Sequence, residues 1–173
     1  LVVGLQNAAV ETLVESHGRA VESWNEALAA DGLDPALIHL VHLVAFAGFF
    51  AAASVVFADE FDLQRRITTS PPPSDEESVE LTREVVTTWL GVPRGLLAAA
   101  VAAEVLDPGD DADRAARWVA GLNGTLLLDR VACLDRYLFR APHHARTLTA
   151  ELLRAWGADP ADLAVAASHV ERL

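Results

Sequence analysis

Six histidines are the side chains best placed for proton or metal chemistry in this 173-residue chain: His17, His39, His42, His143, His144 and His169. Their spacing limits that chemistry. His39 and His42 stand at i, i+3 and share a helix face. A carboxylate-bridged di-metal bundle uses Glu-x-x-His pairs on facing helices, and no histidine here has a Glu three residues before it. The sequence has no H-E-x-x-H, no Cys pair and no G-x-S-x-G. Cys133 is alone, so there is no disulfide framework. Folding the first two predicted helices about residues 32–33 sets His42 level with Trp24 and His39 with Glu26. His17 then lies roughly 10 Å further along the axis at 1.5 Å per residue. A three-histidine metal site is not expected, nor a cofactor, nor an enzyme. Two readings of the inward histidines remain. Each makes one hydrogen bond inside the core, or they are polar contacts in a ligand cavity.

The aromatic residues bear on that choice. Trp24, Trp89 and Trp118 each fall on an apolar stripe, and Phe46, Phe49 and Phe50 cluster in one segment. Core filling is their ordinary role. With three inward histidines they also make an aromatic-lined cavity with few polar contacts, as ligand sites usually have. The candidate lining is His17, Trp24, His39, His42, Phe46, Phe50, Trp89, Trp118 and Leu122. Glu104 and Asp129, each inside an apolar run, are candidates to lend it a charge. The competing role for Asp129 is a partner Arg such as Arg130.

The elements that must position these residues are helices. Pro35–Ala58 carries no charge between Asp34 and Asp59 and is apolar almost all round, so it must be buried in a helical core or a membrane. Its length suffices for a span. Its flanks are acidic on both sides, its Phe residues sit mid-segment, and no second segment reaches spanning length without a charge, so a central core helix is expected. Before it, Val10, Val14, His17, Val21, Trp24 and Leu28 recur at helical spacing, predicting one amphipathic helix over Leu1–Ala30. Gly32 stops it, and Asp34-Pro35 starts the next helix as an antiparallel neighbour. A short helix over Glu60–Thr68 with Phe61 and Leu63 follows, then the proline loop Thr69–Pro73. Ser74 with Glu77 forms a capping box. That helix should kink or break at Gly91-Val-Pro93-Arg-Gly95. The next runs from Asp110 or Asp111 to Arg136 or Phe139. Two more begin at Pro142 and Asp159-Pro160. No strand or phosphate-loop pattern occurs, so the expected fold is all-α, one domain of about seven helices.

The net charge of −12 excludes a basic nucleic-acid surface and suits a soluble cytoplasmic protein. The helix from Asp110 has two apolar faces: Trp118, Leu122 and Leu126 on one, Ala116, Ala120, Asn123 and Leu127 on another. One core needs only the first.

Asp113–Leu128, DRAARWVAGLNGTLLL, resembles the long penultimate helix of the C-terminal domain of TetR-family transcriptional regulators. The stretch APHHARTLTAELLRAWG, 141–157, resembles that family's next helix, and the order of helices matches over nearly the whole chain. The resemblance implies a ligand-binding and dimerisation domain over residues 1–173. It implies a homodimer through Ala116, Ala120, Asn123, Leu127, Leu148, Leu152 and Trp156, and a small apolar or aromatic effector between the first, second, fourth and fifth helices. It also implies operator DNA bound only through a helix-turn-helix segment upstream. The absence of Met and the uncapped opening LVVGLQ fit a missing preceding segment. A helical interaction module with a dry core is the alternative.

Overall fold

The computed structural model describes residues 2–69 and 75–173. Among them are seven helices and no strand: α1 (Val2–Asp31), α2 (Pro35–Val56), α3 (Ala58–Thr69), α4 (Glu76–Ala102), α5 (Asp111–Leu128), α6 (Ala141–Ala155) and α7 (Pro160–Val170). A single 3-10 turn, Asp129–Val131, leads out of α5.

The apolar segment is the centre of the fold. α2 packs against all six other helices, and Leu40, Val41, Leu43 and Ala47 are shut off from solvent. A helix with no polar face has no wet side to offer, so the amphipathic helices close around it. α4 also has the length and apolarity of a membrane span, with Arg94 inside its apolar half. α1 runs antiparallel to α2, and the expected register holds: Trp24 lies beside His42 and His17 beside Phe49. The main bed of α1 is nevertheless α3 and α4 rather than α2.

The starts of four helices follow from their caps. Asp34, Asp110 and Asp159 each accept backbone N–H groups of the first turn. For α4 the cap is Asp75, whose carboxylate accepts the Ser78 N–H at 2.8 Å. The expected cap Ser74 and most of the proline loop lie outside the described residues. Gly32 and Gly157 end α1 and α6 at positive φ, as expected of glycine.

One expectation about helix limits is narrowed and one is corrected. Of the kink or break expected at Gly91–Gly95, the break does not occur, and α4 runs on through Pro93. Pro93 has no N–H to give the Trp89 carbonyl, a loss worth about 3 kcal/mol in an exposed helix, but here its ring is buried. α5 stops at Leu128 instead of reaching Arg136 or Phe139. Two carboxylates divert the backbone. Asp129 Oδ1 accepts the Ala141 N–H at 3.1 Å, and Asp135 Oδ1 accepts the N–H groups of Tyr137 and Leu138. Asp side chains that bond nearby backbone compete with helix in this way.

Candidate functional site

The cavity grows from the α1–α2 register. Leu13, Val14 and His17 face inward from α1, and Phe46, Phe49 and Phe50 face them from α2. Phe61 of α3 closes one side, its ring edge-on to Phe50 at 5.1 Å. Trp89 and Val92 of α4 form the remaining wall. The space is partly open to the surface and about 30 Å³ in volume, room for about two water-sized spheres.

Among the described residues, the lining side chains are carbon except at two points, the Trp89 indole and the His17 imidazole. His17 is 6 % exposed. Its ring stands edge-on to Phe46, Phe49 and Trp24 at 5.4, 5.2 and 5.8 Å. Its Nε2 is buried and has no hydrogen-bond partner. Burial pushes the His17 pKa down to about 4, with His42 a smaller contribution in the same direction, so the ring is neutral near pH 7. A buried polar atom without a partner costs about 1–3 kcal/mol. That cost is unusual in a native core and marks the spot.

The predicted cavity residues separate into three groups. His17, Phe46, Phe50 and Trp89 do line it. Trp24, His39 and His42 lie beyond its end. His42 Nε2 is 2.9 Å from Asn25 Oδ1, the Trp24 and His42 rings are 6.2 Å apart, and His39 is half-buried. His42 therefore has the satisfied hydrogen bond that His17 lacks. Burial, followed by the His39 charge, lowers the pKa of His42 as well.

The third group is corrected. Trp118 and Leu122 are fully buried core, not cavity wall. The Trp118 ring packs on Phe46 at 4.9 Å and its indole N–H is taken by Thr149. α3 therefore stands where α5 was expected. Glu104 is exposed at the far end of α4, in the left-handed conformation at φ +59°. It ends the helix: its N–H goes to the Val101 carbonyl and the Val105 N–H to that of Ala100. Asp129 is spent capping α6 and lends no charge to the cavity.

The expected dimer stripe divides too. Ala116, Ala120 and Leu127 are exposed along α5, and Asn123 is half-buried, donating to the Val119 carbonyl. Leu148 packs on Gly121, and Leu152 is half-buried against the core. Trp156 is removed from the set: it is buried, with the Arg114 guanidinium 5.5 Å over its ring.

Sequence reasoning missed the cavity roles of Leu13, Val14, Phe61 and Val92. Phe61 carried a signal, being an aromatic anchor on a short helix next to a Phe-rich one. Gln64 was also missed; it is 1 % exposed with both amide atoms unpartnered. Larger hollows lie at the surface. One of about 300 Å³ between the α2–α3 end and α5 mixes Val55 and Leu126 with Asp59, Asp62 and Arg130. Another, of about 440 Å³ between α5 and α6, is walled by Gly121, Gly124 and Leu148. Neither holds a buried group without a partner. Among the described residues, no three of His, Cys, Asp and Glu converge as metal ligands would.

No family model, curated protein or solved structure matches this chain.

Proposed function

We propose that this chain is the effector-binding and dimerisation domain of a TetR-like transcriptional regulator. The observation that carries the reading is the buried, unpartnered Nε2 of His17, a residue that lines an otherwise apolar, aromatic cavity. A core built only for stability gains by satisfying that atom or replacing it. A site that waits for a ligand keeps it. The order and lengths of the helices and the small-residue face of α5 are consistent with the same reading. Ala116 and Ala120 let a second helix approach closely, and their exposure leaves room for one.

In this reading the effector enters between α1, α2, α3 and α4. The space of about 30 Å³ is too small for it, so binding selects a widened state. The wall able to yield is α4 beside Trp89, where Pro93 removes one helical hydrogen bond and Gly91 and Gly95 flank it. Moving that wall shifts α1, which packs on α4. The DNA-binding segment belongs on the N-terminal side of α1, so the shift changes the spacing of two recognition helices and operator affinity falls. The effector acts only through its unequal affinity for the two states.

The second reading is a helical interaction module with a dry core, and the 30 Å³ volume favours it. Native mass spectrometry of the detergent-free chain separates the two. A dimer, with or without a small bound mass, supports the regulator. A clean monomer that never carries a bound mass supports the module.

A further inference from the structure

We infer that the His17 cavity takes a neutral, single-ring aromatic alcohol, a phenol, with its hydroxyl on His17 Nε2. The inference rests on the reading of this cavity as an effector site and adds the chemical class.

Charge is settled by the lining. Among the described residues no Asp, Glu or Arg faces the space, and the two polar side chains are an imidazole and an indole. A carboxylate or ammonium brought into such a place loses its hydration and gains no counter-charge, which is far costlier than burying a neutral group. The imidazole does not become that counter-charge near pH 7, because burial disfavours its protonated form.

The polar group is settled by the orphaned atom. Nε2 either presents a lone pair or carries the proton, according to the tautomer. A hydroxyl satisfies both cases, since it donates and accepts. An ether or ketone satisfies only the second, and a hydrocarbon neither. The atom is buried and water-poor, so the bond it makes there is stronger than one in solvent.

The ring is settled by the walls. Phe46, Phe49, Phe50 and Phe61 surround the space, and Phe50 and Phe61 already meet edge to face. A further aromatic ring fits such a set in offset or edge-on contact. Size limits it to one ring. A benzene-sized guest occupies a cavity of roughly 150 Å³, and the space present is about 30 Å³. Swinging out one side chain supplies the difference. Trp89 is that side chain: half-buried, and on the turn of α4 weakened by Pro93. A fused polycycle would require the four Phe residues to move as well.

The test is calorimetric titration of the 173-residue chain with 4-methylphenol, toluene, benzoate and benzyltrimethylammonium. His17→Leu is run in parallel, with circular dichroism to confirm its fold. The expected result is saturable binding of 4-methylphenol, toluene at least tenfold weaker, and no binding of the two ions. In His17→Leu the preference for 4-methylphenol over toluene should vanish. Equal binding of 4-methylphenol and toluene, or a preference that survives His17→Leu, overturns the phenol assignment and leaves the cavity as an effector site. Binding of benzoate or benzyltrimethylammonium in preference overturns it in the same way. If none of the four binds but a co-purified mass is lost in Trp89→Ala, the assignment falls and the effector site stands. If none binds and no mass is carried by either protein, both fall.

Discussion

The indole N–H of Trp118 donates to Thr149 Oγ1 at 2.8 Å, across thirty-one residues and from α5 to α6. Both side chains are completely buried. Each is the partner available to the other in an apolar surround, so the bond fixes how the two helices meet. Thr149→Val should destabilise by about 1–3 kcal/mol, because it leaves the indole N–H buried and unpaired. Trp118→Phe should cost about 3 kcal/mol or more, since it adds lost volume to the unpaired hydroxyl. The double variant should cost less than the sum by about 1 kcal/mol. Urea unfolding of the four proteins measures this coupling, and strict additivity would show the bond to be energetically idle.

His17 makes stability depend on pH in a defined window. Its folded pKa of about 4 lies below the ordinary 6.5, so folding favours the neutral ring. Above about pH 6.5 both states are neutral and its contribution is complete. Between 6.5 and 4 the unfolded chain takes up a proton that the folded chain refuses, and stability falls, by on the order of 3 kcal/mol in all. His42 acts in the same direction. Asp31, Asp75 and Asp135 also have lowered pKa values, but carboxylates lose their contribution only below about 3.8. The wild-type urea midpoint should therefore drop from pH 7 to pH 4.5, and drop less in His17→Leu. Parallel losses in the two proteins would remove His17 as the cause.

Much of this fold is written locally, which is why it could be read from the sequence. Asp34-Pro35, Asp110 and Asp159-Pro160 state where helices begin, and Gly32 and Gly157 where they end. The α1–α2 register followed from a short link and a shared period, so the pairing of Trp24 with His42 was foreseeable. What failed was non-local or ambiguous. Nothing near Asp129 says that its carboxylate will reach Ala141 twelve residues on and end α5 early. Apolar stripes name what is inward but not what lies behind what, so Trp118 was placed on the cavity when it stands behind Phe46. Glu104 looked like a charge in an apolar run because a non-glycine helix stop has no clear sequence mark.

That helix stop is itself a test of backbone strain. Glu104 occupies the position that glycine prefers, at φ +59°, and its N–H and that of Val105 make the two capping hydrogen bonds expected there. A residue with a Cβ is disfavoured in that conformation by about 1 kcal/mol. Part of the gain on removing it is lost to the freer unfolded chain. Glu104→Gly should therefore stabilise by about 0.5–1 kcal/mol, raising the melting temperature by about 1–4 °C. Gly157→Ala should do the reverse, because its φ is +100° and the new Cβ would fall on the Asp107 carboxylate. Differential scanning calorimetry of both variants would decide it, and a destabilised Glu104→Gly would mean that the carboxylate contributes more than the strain costs.

Gln64 offers the sharpest contrast between structure and function. Its amide is buried on α3 with neither Nε2 nor Oε1 bonded. Gln6, also buried, gives its amide instead to the Leu63 carbonyl at 3.4 Å. Gln64→Leu keeps the volume close and removes two unsatisfied polar atoms, so it should stabilise the chain by about 1–3 kcal/mol. Gln64→Glu places a charge in the same spot and should destabilise strongly near pH 7. Thermal melts at pH 7 give the sign directly. If Gln64→Leu lowers the melting temperature instead, the Gln64 amide is hydrogen-bonded in solution.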